Sequence, residues 1–243
     1  MKGWFLIVPF LYSYITINNK NIDLFKHQHP YPPFISKDTR KLIVGTLPPP
    51  RFTTGEFKLD DVDFCYGSRD GQLWKIIEKI FDVEFLYKNT AIAIQQRKDF
   101  LLQHKIGVCD MVEYAFRSEI NALDSGIERA VLRPIIPILI ENPSIDTLLF
   151  TGGNSKNGPE YFFRKHIKNY PEIKLKRVKN TVPRIHTFQL EGRQIQTVSL
   201  TAPSGSANRA VGSIPLYKAL KSKNPDFNTI DFRVLQYAPF FKE

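Results

Sequence analysis

Short apolar runs, separated by polar stretches rich in glycine and proline, set the pattern of this chain. Residues 42–45, Leu-Ile-Val-Gly, are apolar and partly β-branched with no charge inside, which predicts a short buried strand. Gly45 lets the backbone bend, and Pro48, Pro49 and Pro50 follow as a stiff loop expected neither to donate hydrogen bonds nor to join a helix. Residues 106–112 predict a second strand ending near Asp110, and residues 145–150 a third. Residues 184–190 and 193–200 predict two more, joined at Glu191 and Gly192. Leu73, Trp74, Ile77, Ile80 and Phe81 fall on one helical face, with Asp70 as the expected N-cap. Further helices are expected over 91–104, 124–141 (kinked by Pro134 and Pro137), 159–168 and 215–221, before an amphipathic C-terminal segment. Residues 18–28 and 51–63 are polar and predict connecting chain, while His29 to Phe34 form an extended, proline-stiffened lead-in to the first strand.

Strands that alternate with helices imply a mainly parallel sheet covered on both faces, a three-layer α/β/α fold. No internal repeat or low-complexity tract interrupts it, so residues 29–243 are expected to form a single domain and residues 1–28 an N-terminal arm. The apolar residues 4–17 hold Pro9 and bulky aromatics, lack a small-residue cleavage site and are too few to span a bilayer. They are expected to add a strand or packing arm to the core. In a parallel sheet the loops at 45–50, at Asp110 and at 201–210 all open on one edge, where α/β proteins hold ligands.

Charge narrows the partner. The 243 residues carry 34 Lys and Arg against 24 Asp and Glu, a formal net charge of +10, with a pI near 9.5. Such a balance favours a polyanion, and nucleic acid is the commonest. Cys65 and Cys109 are the only cysteines, too few for a four-cysteine zinc or iron–sulfur centre or a disulfide framework, so a reducing cytoplasm is the expected home. No metal, organic cofactor or membrane is implied. The segment 201–210, Thr-Ala-Pro-Ser-Gly-Ser-Ala-Asn-Arg-Ala, is small and polar, so its amides and hydroxyls can approach phosphates. Thr151-Gly152-Gly153-Asn154 is a strand-to-helix turn with the pattern of neither a P-loop nor a dinucleotide fingerprint.

Several motifs occur in an order that resembles the uracil-DNA glycosylase superfamily, and most of all its hypoxanthine (deoxyinosine) branch. The lead-in His29 to Pro33 matches that branch's His-Pro-aromatic-Pro-Pro. Residues 43–48 match a strand followed by Gly-Ser/Thr-x-Pro, and Cys65-Tyr66-Gly67 through Leu73-Trp74 resembles a Tyr-Tyr-Gly segment ending in Phe-Trp. Gly107 to Asp110 (one residue shorter than the branch's Gly-x-x-x-Asp), Leu123-Asp124-Ser125 and Pro203 to Asn208 resemble three later motifs. The likeness spans roughly residues 29–220, and the cysteine count excludes the iron–sulfur branches.

The resemblance implies a monomeric enzyme of base excision repair that hydrolyses the N-glycosidic bond of a deaminated base, hypoxanthine or uracil, in duplex or single-stranded DNA. Thr46 and Leu47 would meet the base through their amides, Tyr66 would stack on it, and Asp110 would read its edge. Ser204, Gly205, Ser206, Asn208 and Arg209 would contact the DNA backbone. The chain departs from the pattern at two positions. Leu47 stands where other branches carry a water-orienting Asp, Asn or Glu, and Gly71 where the hypoxanthine branch carries Asn. Asp70 or Gln72 is the expected substitute. Two other readings remain open: a relative that binds DNA without turnover, and an α/β enzyme acting on small nucleotides or phosphosugars.

Overall fold

The computed structural model describes residues 24–179 and 182–242. The expected N-terminal arm lies almost wholly outside the described residues. In chain order the elements are β1 (Phe25–Gln28), β2 (Lys41–Val44), α1 (Pro50–Thr54), α2 (Leu73–Phe81), α3 (Ala91–Gln103), β3 (Ile106–Val108), β4 (Val112–Arg117), β5 (Glu128–Leu132) and α4 (Ile135–Glu141). There follow β6 (Thr147–Phe150), α5 (Pro159–His166), β7 (Lys176–Lys179), β8 (Arg184–Leu190), β9 (Arg193–Ser199), α6 (Asn208–Ser213), α7 (Pro215–Lys223) and α8 (Thr229–Lys242).

Six strands form the central sheet in the order β3-β2-β6-β9-β8-β7. β3, β2, β6 and β9 run parallel, and β8 alone is reversed, antiparallel to both β9 and β7. Alternation along β2 explains the three layers. Ile43 faces a cluster that includes Ile76 and Ile77 of α2, Phe100 of α3 and Tyr237 of α8. Leu42 and Val44 face the opposite cluster, with Ile136 and Leu139 of α4 and Phe162 and Phe163 of α5. The period of two in a strand thus delivers successive apolar side chains to two separate cores. The α/β/α expectation holds.

Local departures have local causes. Residues 25–28, expected as connector, alternate buried Phe25 and His27 with half-buried Lys26 and Gln28, and pair antiparallel with β4. The run 106–112 is two strands: after Val108 the chain leaves the parallel sheet, and β4 joins β1 and β5 in a separate three-stranded sheet. The expected helix over 124–141 is only α4, preceded by a 3-10 turn at Asp124–Gly126 and by β5. Pro134 precedes α4 and Pro137 lies in its first turn, where a missing N–H costs nothing. Pro50 likewise opens α1 at its first position, against the expectation that the three prolines avoid helix. Gln72, not Asp70, caps α2; its backbone N–H reaches Pro203 O at 2.9 Å, and its side chain makes no cap bond.

A buried ion pair braces the excursion between α1 and α2. Asp61 is fully buried and accepts both Arg51 Nε (2.7 Å) and Nη2 (2.9 Å), and the backbone N–H groups of Lys58 and Arg69 at 2.8 Å each. Burial alone would raise its pKa, but the guanidinium and the two amides outweigh burial and hold it below the usual carboxylate value. A group whose folded pKa is depressed stabilises the fold above its unfolded pKa and loses that contribution as pH falls through the folded one. Asp61→Ala is therefore expected to cost about 3–5 kcal/mol at pH 7. The deficit against wild type should shrink below about pH 4. Urea denaturation between pH 7 and pH 3 measures both.

Candidate functional site

The strand order reverses at β2, whose neighbours β3 and β6 lie on opposite sides, and such a switch point leaves a crevice at the carboxyl ends of the strands. Gly45, Asp110 and Thr151 follow β2, β3 and β6 at that edge. Their mutual contacts define the site.

Asp110 is at its centre. Its Oδ1 accepts the Gly45 backbone N–H at 2.8 Å and the Tyr66 hydroxyl at 3.1 Å. Its Oδ2 lies 3.0 Å from His29 Nε2. The other ring nitrogen, Nδ1, accepts the Tyr31 N–H at 3.1 Å, so it carries no proton and the Nε2 proton points at Asp110. Arg133 holds the same lead-in by donating from Nη2 to Tyr31 O at 2.5 Å. Burial would push the Asp110 pKa up, but the His29 and Gly45 bonds and the charge of Arg133 outweigh it, and Asp110 stays below the ordinary carboxylate value. It is an anion at neutral pH.

Tyr66 reaches this carboxylate because its loop is tightly folded. Val62 N–H bonds Gly67 O, Gly67 N–H bonds Phe64 O, and Trp74 Nε1 bonds Cys65 O at 3.0 Å. A Cβ at Gly67 would come within 1.9 Å of Val62 O, so only glycine fits there. Tyr66 itself sits at φ +57°, uncommon for a bulky residue. Its hydroxyl donates to Asp110 and accepts from Thr151 Oγ1 at 3.1 Å. Burial, then the charge of Asp110, keeps the Tyr66 pKa well above the usual phenol value, so the hydroxyl keeps its proton. The ring is half-buried and passes directly over Gly45. The resemblance implies that the Tyr66 ring stacks on a base; in the structure its hydroxyl end closes on Asp110.

Beyond Gly45, the carbonyl of Thr46 is taken by Val112 N–H at 3.3 Å, whereas among the described residues the N–H groups of Thr46 and Leu47 have no acceptor. The Leu47 side chain packs against the second core cluster, so only its backbone faces the edge. Asn157 links this turn to the 3-10 turn at Asp124: its carbonyl receives the Thr46 hydroxyl at 3.5 Å, and its Nδ2 donates to Asp124 O at 2.8 Å. Asp124 is solvent-exposed, yet protein crowded round its carboxyl pushes its pKa up to about 6. Arg117 opposes that rise, the charge of Asp110 adds to it, and the Thr46 hydroxyl opposes it.

The structure does not bring Asp70 or Gln72 to this centre. The Asp70 side chain is 65 % exposed and meets Arg51 Nη2 at 3.4 Å. Gln72 Oε1 is buried without a hydrogen-bond partner among the described residues. Neither is hydrogen-bonded to residues 45–47, Tyr66 or Asp110, because the bridge between Gly71 and Ser204 draws this segment toward the 201–210 loop.

That loop is organised from beneath by Arg233 of α8, which is fully buried. Its guanidinium donates to Ala202 O (2.9 Å), Ser204 O (3.2 Å), Thr229 O (3.2 Å) and Asn208 Oδ1 (2.9 Å). The Asn208 oxygen is therefore committed inward, which leaves its Nδ2 as the group that could donate to a phosphate. Ser204 and Ser206 share a hydrogen bond at 3.0 Å, while Gly205, Ser206 and Arg209 are exposed. His29, Thr151, Asp124 and Arg233 were not singled out from sequence. Of these only His29, inside the proline lead-in, and Asp124, inside the Leu-Asp-Ser segment, lay in a motif that pointed to them.

A cavity of about 1000 Å³ adjoins the site, lined by Phe25, Tyr31, Phe34, Phe52 and Phe64 among others. It shares His29 and Cys65 with the surroundings of Asp110 but includes none of Gly45, Thr46, Tyr66 or Asp110. Among the described residues no three His, Cys, Asp or Glu side chains are grouped to hold a metal ion. No described helix is long and apolar enough to cross a membrane.

No protein-family model matches the chain, and no curated protein matches it. Among solved structures the chain is similar to a candidate uracil DNA glycosylase from Methanosarcina acetivorans, determined by solution NMR. The identity is 14% and the TM-score 0.48, over 86% of this chain and 99% of that one.

The packing of Tyr66 on Gly45 is directly testable. A Cβ at Gly45 would meet Tyr66 Oη at 2.2 Å and Asp110 Oδ1 at 2.7 Å. Gly45→Ala is expected to destabilise by about 1–3 kcal/mol. It should cost less in a Tyr66→Phe background, giving a coupling above about 0.5 kcal/mol in a double-mutant cycle of urea midpoints. Strict additivity would contradict this placement of the hydroxyl.

Proposed function

We propose that the chain is a monofunctional DNA glycosylase that removes a deaminated base, hypoxanthine or uracil, from duplex or single-stranded DNA. It acts as a monomer without metal or organic cofactor. The observation that carries the reading is the pair of unpartnered N–H groups, of Thr46 and Leu47, at a parallel-strand edge beside the Asp110 carboxylate and the Tyr66 ring. Breaking a glycosidic bond leaves negative charge on the departing base, and fixed backbone donors stabilise it without reorganisation. Asp110 is placed to accept from an N–H on the base edge through Oδ2, where His29 occupies only one lone pair. The half-buried ring of Tyr66 is the candidate stacking face. Gly205, Ser206 and Arg209, exposed and backed by the buried charge of Arg233, suit phosphate contact. Among the described residues no lysine is hydrogen-bonded to Gly45, Thr46, Tyr66 or Asp110, so an abasic site is the expected product.

A second reading, DNA binding without turnover, is favoured by one observation. Asp110 Oδ1 is already filled by Gly45 and Tyr66, so Tyr66 must swing away for a base to reach that oxygen.

Duplexes holding a single uracil, hypoxanthine or xanthine separate the two readings when incubated with the protein and then treated with alkali. The glycosylase reading predicts free base and alkali-labile breaks at the lesion; retention in gel shifts without breaks points to the binder. A protein that neither binds nor cleaves any of these duplexes contradicts both. Arg209→Ala is expected to weaken binding alike for all sequences and to lower the slope of log K against log salt by about 1.

A further inference from the structure

We propose that Asp124 is the general base that activates the attacking water, an assignment that rests on the glycosylase reading above. The two positions at which the resembling family carries this function are empty of it here: Leu47 turns its side chain into the core, and Gly71 has none. Asp70 is held at the surface by Arg51. Asp124, by contrast, is tethered through Asn157 to Thr46, which bears one of the two unpartnered amides. Its carbonyl accepts from Asn157 Nδ2 at 2.8 Å and from Ile127 N–H at 3.0 Å. The preceding Leu123 carbonyl accepts from Arg117 Nη1 at 2.6 Å. The carbonyl of the same Asn157 receives the Thr46 hydroxyl, so one residue gauges the distance between the Asp124 turn and the residue after Gly45. The residue is solvent-exposed, and its carboxyl, though crowded by protein, lies near that hydroxyl.

In the reaction the water oxygen bonds to the anomeric carbon, and the carbon–nitrogen bond breaks with its electron pair leaving on the base. The water proton passes to the Asp124 carboxylate. The base anion, held by the Thr46 and Leu47 amides, is then protonated from Asp124 or solvent, which returns the carboxylate. The charged groups that face Asp124 are Arg117 from β4 and Asp110 from the β3 edge, with the neutral Thr46 hydroxyl after β2. A carboxyl with a pKa raised to about 6 is mostly ionised at neutral pH yet basic enough to accept a proton in the transition state.

The test is single-turnover base release by wild type, Asp124→Asn and Asp124→Glu between pH 4.5 and 8.5, using whichever lesion duplex the wild type cleaves. Wild-type rates are expected to rise with pH through a midpoint near 6 and then level. Asp124→Asn should lose about 10²- to 10⁴-fold and the midpoint with it, while its affinity for the lesion duplex stays within about twofold. Asp124→Glu should recover part of the rate and a midpoint. A carboxyl-carbon NMR titration of the free protein should find the Asp124 midpoint near 6 independently of activity. An active wild type with an Asp124→Asn rate within threefold and an unchanged profile overturns the assignment alone. A wild type that releases no base from any duplex overturns the glycosylase reading, and the assignment with it.

Discussion

The carboxylate of Asp110 is the constraint on which the rest of this site depends. It is buried, and it takes hydrogen bonds from three segments far apart in sequence: the Gly45 amide at the end of β2, the Tyr66 hydroxyl on the aromatic loop, and the His29 ring in the proline lead-in. A buried anion is tolerable only when its lone pairs are met, and meeting them fixes all three segments relative to one another. The glycine at 45 is part of the same constraint, because a side chain there would occupy the space of both the tyrosine hydroxyl and the carboxylate. What the fold contributes is the edge on which these groups gather; what Asp110 contributes is their register.

Around this centre charge is arranged asymmetrically. Asp110 is held below the usual carboxylate pKa, whereas protein crowded round Asp124 pushes its pKa up to about 6. Two carboxyls whose environments move their pKa values in opposite directions are suited to different parts in proton exchange. Arg233 plays the opposite part beneath the 201–210 loop, a buried cation satisfied by carbonyl oxygens rather than by an anion, so its charge remains available to the exposed surface above.

The layered fold was legible in the sequence because short apolar-rich runs are local signals, and 42–45, 145–150, 184–190 and 193–200 all carry one. The small antiparallel sheet was not. Phe25–Gln28 has a period of two over only four residues, and Glu128–Leu132 opens on two charges and is mostly exposed, so neither shows a buried face until paired with β4. Pro134 and Pro137 read as helix breakers, although at the start of α4 they cost nothing. At the site, Thr46, Tyr66 and Asp110 were placed together by motif. Their partners His29 and Thr151, and the proximity of Asp124 to Thr46, depend on contacts between residues tens of positions apart, which no spacing rule encodes. Asp70 was chosen for its neighbour Gly71, and the fold spends it on Arg51 instead.

The proposed chemistry makes the sugar of the bound nucleotide positive as its base departs. This is measured by the affinity of the intact chain for a duplex in which one sugar is replaced by a cationic pyrrolidine, compared at equal salt with the unmodified duplex. A site complementary to that transition state should bind the modified duplex at least about 100-fold more tightly. Equal affinities would contradict the account.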